Sequence, residues 1–274
     1  MGTDGVRLHV EAAGPEHGPL VVLLHGFPEF SYAWRRQVGP LAEAGFRVLA
    51  PDQRGYGGSD KPREVGAYVL DALADDVLRL AGGRRFSLVG HDWGGVVAWW
   101  LALRNPERLD RLAILNAPHP ATLASYAAGH PGQLVKSWYV LFFQFPVLAE
   151  AAFRAGNFRM PAGALAGTSR RGTFTREDLD RYRAAWAEPG AVTGMLNWYR
   201  ALRRRRRPPS GRIRVPTLIL WGDRDAFLQP GLADAALDLC DDGRLVRFER
   251  ATHWLQHEEA ERVTRELIAF LPGA

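Results

Sequence analysis

Four short apolar runs, each closed by glycine or a polar residue, constrain the fold of this chain more than anything else in it: LVVLLHG (20–26), FRVLAPD (46–52), FSLVGHD (86–92) and LDRLAILN (109–116). An apolar run of strand length without alternation reads as a strand buried on both faces, the condition of a parallel sheet. Between the runs, Tyr32 to Ala44 and Val69 to Ala81 carry helical spacing; Asp71, Asp75 and Asp76 lie towards the N-terminal half of the second, where the helix dipole favours acids. An early strand over Arg7 to Ala12 and a helix over Gly94 to Leu103 extend the pattern. Such alternation argues an α/β fold, a mostly parallel sheet flanked by helices.

The alternation stops at about Ala117 and is replaced by aromatics, Gly and Pro breaks, and helical fragments such as TREDLDRYRAAWAE (175–188), where Thr175 and Asp178 resemble a capping box. It resumes after Arg212 with VPTLILWGDRD (215–225), RLVRFER (244–250) and a closing helix, EEAERVTRELIAFL. One core, residues 1–117 and 213–274, is therefore expected to be interrupted by a mainly helical insertion over 118–212.

Charge and cysteine narrow the class. Much of the net +5 sits in one run, Arg203 to Arg207, followed by Pro208 and Pro209, which reads as a solvated helix end. No aromatic or groove-fitting element surrounds it, so nucleic acid is not an expected partner. Cys240 is the single cysteine, which rules out an intrachain disulfide and suits a reducing cytoplasm. The opening MGTDGVRLHVEAAG has no apolar signal core, and no uncharged run approaches the ~18 residues of a membrane span.

Functional groups of a parallel sheet collect where its strands end. Here four segments end in polar or glycine-rich punctuation: LLHGFP, VGHDWGG, LWGDRDAF and FERATHW. In the second, Gly90 and Gly94 bracket Asp92 in the form glycine, any residue, nucleophile, any residue, glycine, a sharp strand-to-helix elbow that usually carries serine. Taken singly, Asp92 could be a helix cap, GDRD a turn and His253 a satisfied interior histidine. Together, Asp92, Asp225 and His253 follow the order nucleophile, acid, histidine, each after a strand. Asp225 is preferred to Asp223 because Gly222 and Asp223 read as the turn leaving the strand.

A carboxylate in the elbow changes the chemistry. Serine attacking saturated carbon would form an ether that water does not cleave; aspartate forms an ester whose carbonyl belongs to the protein, and His253 oriented by Asp225 can activate water against it. The backbone N–H groups of Trp93 and of Phe27 are the expected oxyanion donors, and His25 and Pro28, which flank Phe27 in the HGFP loop, are expected to help form the oxyanion hole or contact substrate. Opening an epoxide also needs a proton donor opposite the carboxylate, whereas releasing a halide needs only hydrogen-bond donors. Tyr126, Tyr139, Tyr182 and Tyr199 in the insertion are candidate acids, although aromatics there can equally be packing.

Over nearly its whole length the chain resembles the epoxide hydrolases of the α/β-hydrolase fold, through HGFPEFSYAWR (25–35), PDQRGYGGSDKP (51–62), GHDWGG (90–95), NPERLDRLAILNAPHP (105–120), LNWYR (196–200), PTLILWGDRDAF (216–227) and THWLQHEEAERV (252–263). The resemblance implies a helical cap inserted after strand 6, a cis peptide before Pro28, no cofactor and no metal. It further implies two cap tyrosines that protonate the epoxide oxygen, placed by LNWYR at Tyr199 and by SWYVLFFQ (137–144) at Tyr139. Haloalkane dehalogenases are similar but usually carry asparagine at the position of Phe27 and lack the tyrosine pair; fluoroacetate dehalogenases carry arginine at the position of Trp93. The expectation is thus a cytoplasmic monomer or homodimer acting on a small apolar epoxide and water, with haloalkane or haloacid dehalogenation as the alternative. A fold retained only for ligand binding would need one of Asp92, Asp225 or His253 to be missing.

Overall fold

The structure, a computed structural model, describes residues 5–204 and 211–273. Arg205 to Arg207 of the arginine run lie outside the described residues. Seven strands, β1 (Val10–Ala13), β2 (Leu20–Leu24), β3 (Arg47–Pro51), β4 (Phe86–His91), β5 (Leu109–Leu115), β6 (Thr217–Gly222) and β7 (Gly243–Phe248), form one sheet in the order β1-β3-β2-β4-β5-β6-β7. Only β1 is antiparallel, against β3.

Every residue of β2, β4 and β6 is buried, as the unbroken apolar runs require, while the edge strands β1 and β7 are partly exposed. Alternation along each strand divides the core in two. Val22, Leu24, Leu88 and Ile114 meet α2 (Leu70–Ala81), α3 (Trp93–Arg104) and α10 (Gly231–Leu237) on one face. Val21, Leu23, Val89 and Leu115 meet α1 (Val38–Glu43), α11 (Leu255–Glu258) and α12 (Ala260–Phe270) on the other.

Two elements differ from the expected ones. Tyr32 to Ala44 is not one helix: a single tight turn, Ser31–Trp34, precedes α1, because Pro40 has no N–H to donate and is tolerated only in a helix's first turn. The insertion leaves after β5, the fifth strand in chain order rather than the sixth, since the N-terminal segment contributes a single strand, β1, among the described residues. Between β5 and β6 run α4 (Leu123–Gly129), α5 (Pro131–Lys136), α6 (Trp138–Phe142), α7 (Leu148–Thr168, broken at residues 155–158), α8 (Arg176–Ala187) and α9 (Ala191–Arg200). The capping box opens α8: Thr175 Oγ1 accepts from the Asp178 N–H, and the Thr175 N–H donates to Asp178.

Chain order reverses at β2 and β4, which are neighbours although β3 separates them in sequence. The HGFP loop after β2 and Asp92 after β4 therefore end side by side at the carboxyl edge, the crevice where open parallel sheets place their sites.

Candidate active site

Asp92 joins β4 to α3 with φ 49° and ψ −120°, a conformation that costs a non-glycine residue about 1–3 kcal/mol. The glycines around it are there for closeness. A Cβ on Gly94 would collide with the carbonyl oxygens of Leu24 and His25, and one on Gly90 with the carbonyl of Gly94. The turn can thus press against the end of β2, and the Phe27 N–H donates to Asp92 Oδ1 at 2.8 Å. Oδ2 lies 3.6 Å from His253 Nε2, and the side chain keeps 18% of its surface exposed.

His253, Asp225 and Asp92 are brought together, from the ends of β7, β6 and β4. The Nδ1–H of His253 donates to Asp225 Oδ2 at 2.7 Å. Asp225 is completely engaged: Oδ1 accepts from the N–H groups of Phe227 and Leu228, and Oδ2 also from Asn116 Nδ2 at 2.6 Å. Burial opposes charge on Asp225, but the facing His253 and these donors leave its pKa lowered. Burial would likewise discharge His253, yet Asp225 and then Asp92 raise its pKa to about 10. Asp223 instead pairs with Arg247 at 2.7 Å.

Asn116 had no signal in the sequence beyond ending a strand. Its backbone is left-handed at φ 36°, and its amide also ties Gly222 by accepting from the Gly222 N–H at 2.7 Å, so it fixes the start of the loop that carries Asp225. A second missed group is buried Glu29, which receives Tyr182 Oη, Gln256 Nε2 and His257 Nε2 and faces His91 Nδ1 at 3.3 Å.

His25 is placed differently from a substrate-contacting residue. Its Nδ1–H donates to the Gly26 carbonyl and its Nε2 accepts from the Gln53 N–H, so the fully buried ring is committed to holding its own loop as a neutral imidazole. Burial lowers its pKa accordingly. The Phe27–Pro28 peptide is cis, and the Pro28 carbonyl accepts from Trp186 Nε1 of α8 at 2.6 Å.

Tyr199 comes down onto this loop because its neighbours in LNWYR each anchor α9. Asn197 bonds the Arg63 carbonyl, Trp198 Nε1 the Arg54 carbonyl, and Arg200 forms a bidentate pair with buried Glu150. The Tyr199 ring stands 5.0 Å from those of both Phe27 and Trp93. Tyr139, on α6, is 5.9 Å from Tyr199 and 5.8 Å from Phe227, itself 5.2 Å from His253. Burial, with Asp92 nearby, raises the pKa of both phenols, so both remain O–H donors at neutral pH. The other two candidates do not join them: Tyr182 Oη is spent on Glu29, and Tyr126 stacks on His130.

A family model described as alpha/beta hydrolase fold matches residues 19–260, and the chain belongs to that family. It is 44% identical to AB hydrolase superfamily protein YfhM of Bacillus subtilis, over 99% of this chain and 96% of that protein. It is also 38% identical to Epoxide hydrolase 4 of Mus musculus (98% of this chain, 77% of that protein) and 34% identical to Epoxide hydrolase A of Mycobacterium tuberculosis (100% and 96%). Among solved structures, a Bacillus megaterium epoxide hydrolase in complex with an inhibitor superposes with a TM-score of 0.88 at 29% identity, covering 98% of each chain. Within the fold family, its kin are the epoxide hydrolases.

Proposed function

We propose that the protein hydrolyses a small apolar epoxide to a vicinal diol through an ester on Asp92, without a cofactor. One observation carries the reading: a strained carboxylate with one oxygen held by the Phe27 N–H and the other 3.6 Å from His253 Nε2, close enough to two protonated phenols to add to burial in raising their pKa. Oδ2 attacks an oxirane carbon; that carbon's bond to the ring oxygen breaks, and the oxygen takes a proton from Tyr139 or Tyr199. Water then loses a proton to His253 Nε2 and attacks Cγ of the ester. Negative charge develops on Oδ1, already held by the Phe27 N–H, with the Trp93 N–H as second donor; one such donor is worth about 2.7–4 kcal/mol. Collapse breaks the Cγ–Oδ2 bond: His253 returns its proton to Oδ2, which leaves in the diol, and the proton of the re-formed Asp92 carboxyl restores the tyrosine.

Charge on Asp92 helps keep His253 protonated before reaction. Ester formation removes that charge, so His253 becomes a base when a base is needed. In this reading residues 1–117 and 213–274 form the core and 118–212 a cap over the carboxyl edge. Among the described residues no helix is long and apolar enough to cross a membrane, and Cys240 is a buried thiol pushed up to about 11 by burial; we place the protein in the cytoplasm, as monomer or homodimer.

A single turnover of styrene oxide in heavy-oxygen water tests the route. The label should enter Asp92 and stay out of the first diol; label in that diol would mean direct attack by water and remove Asp92 as nucleophile.

A further inference from the structure

The protein has nine tryptophans, and eight are buried. The exception is Trp138, 62% exposed, on the same short helix that turns Tyr139 inward. Leu134 on α5, Trp138 and Leu141 on α6 and Phe145 in the turn after it recur three and four residues apart, and all four are exposed, as is Val135. The chain then turns at Val147, whose left-handed backbone at φ 68° holds an apolar side chain 79% in solvent. Solvated singly, such residues mean little; seven large apolar side chains exposed between residues 134 and 148 mark a docking face.

Charge says what docks. Between Asp110 and Glu177 the only acid is Glu150, and it is consumed by Arg200. Ala151 and Arg154 are exposed three residues apart on the first part of α7, and Arg159, beyond its break, is exposed too. A second copy of the chain, related by a two-fold axis, would set this basic stretch, whose one acid is already paired, against itself. We propose that the face formed by α5, α6 and the start of α7 docks on an anionic lipid bilayer. Trp138 sits at the headgroup level, the leucines and Phe145 enter the acyl boundary, and the arginines meet lipid phosphate. Docking draws nothing from the proposed reaction, but with that reaction it would turn the helix carrying Tyr139 towards the phase in which apolar epoxides dissolve.

The test is flotation of the whole protein with vesicles of phosphatidylcholine alone or with phosphatidylglycerol, the latter repeated with brominated acyl chains. The protein should float with the anionic vesicles, and bromine should quench Trp138 fluorescence. The Trp138→Ser/Leu141→Gln protein, checked for native melting, should stay at the bottom, and each of Arg154→Gln and Arg159→Gln should weaken binding about fivefold. Absence of flotation with anionic vesicles, unchanged binding by the double variant, or a concentration-dependent dimer lost in that variant without any lipid binding would each overturn the proposal. Epoxide turnover is not a readout here, so failure of docking and failure of the reaction are distinguishable.

Discussion

The two halves of the candidate site are held by different forces. In the core, Asp92, Asp225 and His253 are fixed by hydrogen bonds and by glycines that admit close backbone contact. In the insertion, Tyr139 and Tyr199 are fixed by ring packing and by neighbours that anchor their helices. The core carries ions whose charges set one another; the insertion carries neutral hydroxyls. In the reaction proposed above, ester formation and hydrolysis fall to the first, and protonation of the leaving oxygen to the second.

The largest effect should come from breaking the core half. His253→Gln should lower steady-state turnover by about 10⁴ to 10⁶-fold while still allowing one ester to form, seen as a mass increase equal to the epoxide on the Asp92 peptide. A variant that neither turns over nor forms the adduct would show that His253 serves the first step. With His253 intact, hydrolysis of the ester should level off well below pH 10, because the Asp92 charge that helps raise His253 is gone. A rate still climbing to pH 10 would contradict this. Stability has the same sign logic: folded His253 is raised from 6.5 to about 10, so its contribution is complete below about 6.5 and lost as pH rises through 10.

Breaking the insertion half should leave the ion set intact and affect ring opening alone. Replacing both tyrosines by phenylalanine should slow ester formation from an epoxide by about 10² to 10⁴-fold, and either one alone by less, since the partner can still donate. Turnover of a bromoalkane by the same variants should be unchanged or improved. An equal loss on both substrates would make the tyrosines packing residues.

This difference also decided what could be read in advance. Asp92, Asp225 and His253 were legible because each closes an apolar strand run and chain order constrains the set. Tyr199 and Tyr139 were singled out from four candidate tyrosines only through resemblance; Tyr199, for one, is positioned by the tertiary anchoring of Trp198 and of Arg200 with Glu150, which no spacing announces. Asn116 and Glu29 were invisible for the same reason, as their partners lie on other strands and helices. His25 misled because a histidine at a strand end looks the same whether its ring faces substrate or its own loop.

Smaller effects sharpen the core half itself. Asn116→Ala strips a donor from buried Asp225 and should cost about 1–3 kcal/mol of stability, with a slower hydrolysis step. The finest distinction lies between two aspartates two residues apart. Asp225→Asn removes the charge that faces His253 Nδ1, so the His253 pKa should fall and ester hydrolysis should slow sharply. Asp223→Asn removes only a partly exposed ion pair with Arg247, worth about 1 kcal/mol or less, and should leave both the His253 titration and turnover near those of the parent. Imidazole NMR across pH reads the two variants side by side. A shift of His253 in the Asp223 variant as large as in the Asp225 variant would mean that the loop moves as a unit, and that the division between the two acids drawn from the hydrogen bonds is wrong.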